Sequence, residues 1–136
     1  MIRTVSEVRV PIHTLTDIVA ARRRGRELAS QVGFSNSNLT LIATAISEVA
    51  RNIVEFADKG EVIISVVKNG TKQGVKIVVT DQGPGIADIA RVMRDGYSTG
   101  QGLGIGLPGT RRLMDEFEIS SRVGKGTVIT MKKWSA

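Results

Sequence analysis

The sequence predicts an α/β two-layer sandwich, a mostly antiparallel mixed sheet with helices packed on one face. Three observations lead there. Apolar and polar residues alternate in several short segments, the period-two signal of strands, whereas one long segment carries apolar residues at spacings of three and four, the signal of a helix. The strand-like segments also come as neighbours joined by tight turns, which favours antiparallel pairing over a doubly wound parallel sheet. At 136 residues the chain matches the size of one domain, so residues 1–136 are expected to share a single core.

Each element has its own warrant. Over 6–12, Val8, Val10 and Ile12 alternate with Glu7, Arg9 and Pro11, predicting a first strand with the proline at its end or on an edge. Thr14 with Asp17 resembles a capping box, and the Ala-, Leu- and Arg-rich stretch to about Val32 predicts a helix that Gly33 stops. The cluster Ser35-Asn36-Ser37-Asn38 offers caps to a second helix, along which Leu39, Ile42, Ile46, Val49, Ile53 and Phe56 form one stripe. Lys59-Gly60 ends it. Residues 61–68 and 75–80 then predict a hairpin around Asn69-Gly70 or a slightly longer loop. A short helix is expected over 86–93, a last long helix over 107–117, and two short strands, 118–122 and 127–132, around Gly124-Lys125-Gly126.

Composition removes whole classes of chemistry. With no cysteine there is no disulfide, thiolate metal site or thiol nucleophile, and with His13 alone there is no multi-histidine metal site and little basis for a serine-histidine triad. The net charge of +6 suits an anionic ligand or partner, but the five aromatics (Phe34, Phe56, Tyr97, Phe117 and Trp134) are dispersed and form no stacking platform, so nucleic acid is not expected as a partner. No apolar run approaches the ~20 residues that span a bilayer, and the opening Met1-Ile2-Arg3-Thr4 starts no signal-peptide pattern. A cytoplasmic protein without membrane contact is expected. Arg22, Arg23, Arg24 and Arg26 crowd the first helix, either as a solvated face or as a surface for a protein or phosphate.

Three segments carry candidate chemistry. Glu48 and Asn52 stand four apart on the second helix, one above the other, on the shoulder of its apolar stripe. A carboxylate there could take a proton from an attacking hydroxyl and an amide oxygen could hold Mg²⁺, although such pairs also occur on plain solvated helix faces. Asp81 ends an apolar strand and is followed by Gly83-Pro84-Gly85. A carboxylate only accepts hydrogen bonds, so it can read an exocyclic amino group such as adenine's, while glycines let a ligand approach the backbone; a simple turn with an Asp cap has the same sequence. Eight of the fifteen glycines (83, 85, 96, 100, 102, 104, 106 and 109) fall between Asp81 and Gly109. The run Gly102-Leu103-Gly104-Ile105-Gly106 leads into the last helix, where backbone N–H groups suit phosphate. Gly104, Gly106 and Gly109 also fit G-x-G-x-x-G, but no strand precedes them and Pro108 interrupts, which disfavours dinucleotide binding; a P-loop is absent.

Taken in order, Glu48-x-x-x-Asn52, Asp81-x-Gly83-x-Gly85, Gly102-x-Gly104-x-Gly106 and Gly126-Thr127 resemble the four nucleotide-binding boxes of the GHKL superfamily of gyrase, Hsp90, histidine kinases and MutL. The short chain and the stretches 95–99, 102–109 and 111–117 narrow the resemblance to the switch serine/threonine kinases of the bacterial stressosome, relatives of the anti-sigma-factor kinases. The resemblance covers nearly the whole length.

It implies the Bergerat ATP-binding fold and an ATP-dependent protein serine/threonine kinase. By it, Glu48 is the general base and Asn52 the Mg²⁺ ligand. Asp81 binds the adenine amino group with Thr127 supporting through water, Gly83 and Gly85 shape the adenine pocket, and Gly102, Leu103, Gly104, Ile105 and Gly106 close over the phosphates. Residues 94–102 become the ATP lid. The implied substrate is a serine or threonine of a STAS-domain stressosome protein, after which the freed kinase activates a PP2C-type phosphatase. The chain is too short for a phosphoacceptor-histidine helix with its dimerisation hairpin, and it has no second domain to supply a catalytic lysine. Both departures argue against histidine phosphorylation and a gyrase-like ATPase. The alternative is a nucleotide-gated binding module such as an anti-sigma factor.

Overall fold

The computed structural model describes residues 1–93 and 106–135. Its elements are β1 (Ile2–Ile12), α1 (Leu15–Ala29), a 3-10 turn (Ser30–Val32), α2 (Asn36–Phe56), β2 (Gly60–Asn69), β3 (Lys72–Asp81), α3 (Ile89–Val92), α4 (Gly106–Leu113), β4 (Glu116–Arg122) and β5 (Gly126–Ser135).

Local chemistry sets the helix starts. The Asp17 carboxylate accepts the backbone N–H groups of His13 and Thr14 at 2.8 and 2.9 Å, satisfying donors that the first turn of α1 leaves open. Ser35 Oγ accepts the Asn38 N–H at 3.1 Å and starts α2. Gly33 closes the 3-10 turn at φ +90°, in the left-handed region that a glycine enters without a Cβ penalty. The β2–β3 hairpin pairs Asn69 with Lys72, so Gly70 and Thr71 alone make the turn, with Gly70 at φ +65° in the first central position where a type II′ turn takes glycine.

The strands form one sheet in the order β1-β2-β3-β5-β4, and all four pairings are antiparallel, so no parallel pair is present among the described residues. Alternation then decides which side is dry. Val62, Ile64 and Val66 of β2, Val75, Ile77 and Val79 of β3, and Ile129 and Met131 of β5 share one buried cluster with Ile42, Ile46, Val49 and Ile53 of α2. Each such Val or Ile contributes about 1.5–3 kcal/mol by leaving water. A Cβ at Gly25 of α1 would meet the tip of the Ile46 side chain, so α1 lies close against α2 and a larger residue there requires Ile46 to shift.

Among the boundaries that differ from the sequence reading are those of the last two helices. The last helix does not reach Phe117: it ends at Leu113, because Asp115 donates its N–H to the Lys132 carbonyl at 3.0 Å and the chain enters β4. Phe117 thus stands opposite Met131 in the sheet. The short helix is confined to Ile89–Val92, where the Asp88 carboxylate caps the Arg91 N–H at 3.0 Å.

The strand order also locates the site. β5 inserts between β3 and β4, so the end of β3 at Asp81, the start of β5 at Thr127 and the end of β4 at Ser121 meet at one end of the sheet.

Candidate functional site

On α2, Val49 and Ile53 are fully buried, and Glu48 and Asn52, one residue earlier in each case, are half-buried on the shoulder of the same stripe. Neither side chain has a hydrogen bond or ion pair among the described residues. Asn52 lines a cleft of about 350 Å³ whose walls include Phe56, Gly85, Ile86, Val92 and Leu107. An apolar cleft with a few polar groups, at the lower end of the range of about 300–1,000 Å³, is the usual form of a small-molecule site. Asp88 and Arg91 supply charge at its margin.

Asp81 is held by its own turn. Its Oδ1 accepts the Gly83 N–H at 2.9 Å, and its Oδ2 has no partner among the described residues. A Cβ at Gly83 would lie 2.6 Å from that of Ala57, so only glycine lets this loop pass over the end of α2. Gly85 and Gly126 both hold positive φ and sit against carbonyls, of Arg122 and of Asp81. Asp81 opens not into the cleft beside Asn52 but into a broader depression of about 840 Å³ that also includes Ile12, Lys59, Gly60, Gln82 and Lys125. The structure therefore brings Asn52, Gly85 and Leu107 to one cleft and places Asp81 beside it, with Thr127 directly across the β3–β5 pair from Asp81.

Thr127 is buried, and its hydroxyl lies 2.8 Å from Ser121 Oγ. Ser121 also accepts the Ile86 N–H at 2.8 Å and donates to the Gly126 carbonyl at 2.8 Å. The Gly124 N–H adds a bond to the Pro84 carbonyl at 2.8 Å. Sequence reasoning missed Ser121. Its signal was a serine in the inward phase of Phe117, Ile119 and Ser121, just before the glycine turn.

Gly106 opens α4 at φ +70°, and Thr110 Oγ1 donates to its carbonyl at 2.8 Å. Gly102, Leu103, Gly104, Ile105 and the expected lid over 94–102 lie outside the described residues. Among the described residues no cluster of three or more His, Cys, Asp or Glu side chains gathers to form an all-protein metal cage. One unpaired amide oxygen at the cleft, that of Asn52, fits a different demand: Mg²⁺ keeps much of its water shell and takes few protein oxygens when phosphates complete its coordination.

An open antiparallel sheet backed by helices, with a glycine-bounded cleft at one end, is the frame of an α/β small-molecule-binding domain. Residues 13–133 match the family model described as the histidine kinase-like ATPase domain, and the chain belongs to that family. Membership implies ATP as the nucleotide. The chain is 54% identical over 125 residues to the serine/threonine-protein kinase RsbT of Bacillus subtilis, covering 92% of this chain and 94% of that one. That identity, over nearly the whole of both chains, puts the present chain among the serine/threonine-protein kinases. It is also 31% identical over 112 residues to the anti-sigma F factor of Thermoanaerobacter sp., covering 78% and 77%. In fold it is similar to the crystal structure of the RsbU and RsbW domains of Rv1364c from Mycobacterium tuberculosis, with a TM-score of 0.62 and 20% identity over 95% of this chain and 32% of that one.

Proposed function

We propose that the chain transfers the γ-phosphoryl group of ATP to a serine or threonine of a STAS-domain stressosome protein and thereby switches its own partners. The observation that carries this reading is the pair Glu48 and Asn52, half-buried one turn apart on α2, both without a partner among the described residues, with Asn52 on the cleft wall. Both side chains keep contact with solvent and neither is tied to another protein group among the described residues, so both can turn to a ligand that enters the cleft.

In this reading Glu48 takes the proton of the attacking hydroxyl. The oxygen of that serine or threonine hydroxyl bonds to the γ-phosphorus while the bond from phosphorus to the β–γ bridging oxygen breaks, leaving ADP. Asn52 offers the side-chain oxygen for Mg²⁺, which when bound neutralises charge on the phosphates. Asp81 accepts from the adenine amino group with Thr127 beside it, and Gly83 and Gly85 admit the base to the backbone. Gly102, Leu103, Gly104, Ile105 and Gly106 are the residues we assign to the phosphates.

The kinase and anti-sigma relatives imply protein partners. A new phosphate brings about −1.5 to −2 charges into the partner's surface, enough to break a contact that had excluded water. The freed kinase then engages the regulatory domain of a PP2C-type phosphatase. The arginine cluster of α1 (Arg22, Arg23, Arg24 and Arg26) is the candidate docking surface; Arg22 and Arg23 are exposed, as are Leu15 and Val19 on the same helix. Arg24 and Arg26 are partly occupied, by the Arg9 carbonyl at 3.5 Å and Thr40 Oγ1 at 3.3 Å. A cytoplasmic setting accompanies this reading; among the described residues no helix is long and apolar enough to cross a membrane.

The anti-sigma relatives favour a second reading, a nucleotide-gated module that works by stoichiometric binding. Incubation with radiolabelled Mg-ATP and a STAS-domain protein of the same genome separates the two, with Asp81→Asn as the nucleotide-blind control. Label on a partner serine or threonine, absent with the variant, is the expected result. ATP binding with no labelled partner favours the binding module.

A further inference from the structure

A serine hydroxyl has one proton to give and two lone pairs with which to accept. Ser121 uses all three. The Gly126 carbonyl oxygen, 2.8 Å from Ser121 Oγ, can only accept, so the serine proton points there. The Ile86 N–H, also at 2.8 Å, can only donate and takes one lone pair. The remaining neighbour, Thr127 Oγ1 at 2.8 Å, must therefore donate to the second lone pair, since two oxygens that close without a proton between them repel. Thr127 has spent its only proton on Ser121, and what it retains are lone pairs.

Asp81 stands directly across from Thr127 in the β3–β5 pair, and cross-strand partners project to the same face. A carboxylate also only accepts. Two acceptor-only groups thus stand side by side at the end of the sheet, and a ligand atom that meets both must carry two donor protons, as an exocyclic amino group does and an oxo group or a ring N–H does not. We infer that Ser121 is a positioning residue that locks the Thr127 hydroxyl as an acceptor and so selects a purine with a 6-amino group over one with a 6-oxo group; this rests on the nucleotide reading above. Its leverage comes from topology. One hydroxyl on the edge strand β4 ties together the loop after β3, through Ile86, and the first two residues of β5. Without it the Thr127 hydroxyl turns freely and can donate to an oxo group.

Calorimetric titration with ATP and with inosine triphosphate tests this on the full chain. The wild type prefers ATP. Ser121→Ala narrows the ratio of the two affinities by about tenfold, the scale of one hydrogen bond in a buried site. Ser121→Thr, which keeps the hydroxyl, holds the ratio near that of the wild type. Thr127→Val narrows it as Ser121→Ala does, and the double variant narrows it no further, because both changes act through one hydroxyl. Thr127→Val leaves the other two bonds of Ser121 in place and carries the test alone if Ser121→Ala fails to fold. An unchanged ratio in these variants overturns the inference even if they melt earlier, because a serine with only a structural role weakens both ligands together. A wild type that binds neither triphosphate overturns the nucleotide reading itself, whereas one that binds ATP while the variants keep its ratio overturns only the role of Ser121.

Discussion

Gly85 packs so tightly under the carbonyl of Arg122 that a Cβ on the glycine would overlap the oxygen. Its φ of +76° adds a second reason for glycine. Gly85→Ala is expected to lose about 1–3 kcal/mol from the left-handed backbone alone, with the overlap adding to it. Gly124→Ala is the matched control, because Gly124 has φ +79° and nothing within 4 Å of a Cβ. Thermal melts of both variants should place Gly85→Ala clearly below Gly124→Ala. Equal melting temperatures would show that the β4–β5 turn gives way and that the loop after β3 is not pinned by it.

The contrast between these glycines also shows what the sequence could disclose. α2 was legible because its cap and its stripe from Leu39 to Ile53 are both local and long. β1 was read only from Ser6, although it begins at Ile2, because a bulge between Thr4 and Ser6 breaks the alternation that marks a strand. The end of α4 was misplaced for a different reason. Leu113, Met114 and Phe117 continue a helical spacing, and what stops the helix is the Asp115 N–H pairing with Lys132, a residue brought in by the sheet. In the site, the spacing of Glu48 and Asn52 and the glycines after Asp81 follow from neighbours in sequence. Ser121 depends on Ile86, 35 positions away, and no local pattern records that contact.

Asp81→Asn should separate folding from recognition. The Asn side-chain oxygen can still accept the Gly83 N–H, so the turn is retained and the melting temperature should move little. Its NH₂ group, however, would confront a ligand amino group as donor against donor. Loss of ATP affinity of about a hundredfold is expected, the scale of a site left with mismatched polar groups. Fluorescent-nucleotide titration beside a thermal melt checks both halves. Wild-type affinity in this variant would remove Asp81 from base recognition.

Glu48→Ala is expected to leave ATP affinity within about twofold, while phosphate transfer falls by about 10²–10⁴, the usual contribution of a positioned general base. The half-buried carboxylate has no partner among the described residues, so its removal orphans no other group and stability should hold. Single-turnover transfer to the proposed STAS-domain partner gives the rate, and titration gives the affinity. A variant that regulates its partners fully without transferring phosphate would favour the stoichiometric binding module.

Trp134, the only tryptophan, reports on a carboxylate at the far end of the sheet. Its indole N–H donates to Glu116 Oε2 at 2.7 Å, and this bond, aided by the Lys132 and Lys72 ammonium groups and opposed by desolvation, holds the Glu116 carboxyl below its ordinary 4.5. The native state therefore binds this proton less readily than the unfolded chain. The stability tied to Glu116 is present in full above about pH 4.5 and is lost as the pH falls through the lower, folded value. Trp134 emission should accordingly titrate with a midpoint below pH 4.5, and Glu116→Gln should abolish that step and flatten the acid limb of the melting profile. Asp115 also faces this residue, accepting the Trp134 backbone N–H at 2.8 Å, and Asp115→Asn should leave the step in place because it does not touch the indole. A step that survives Glu116→Gln and disappears with Asp115→Asn would reassign the titration to the backbone contact.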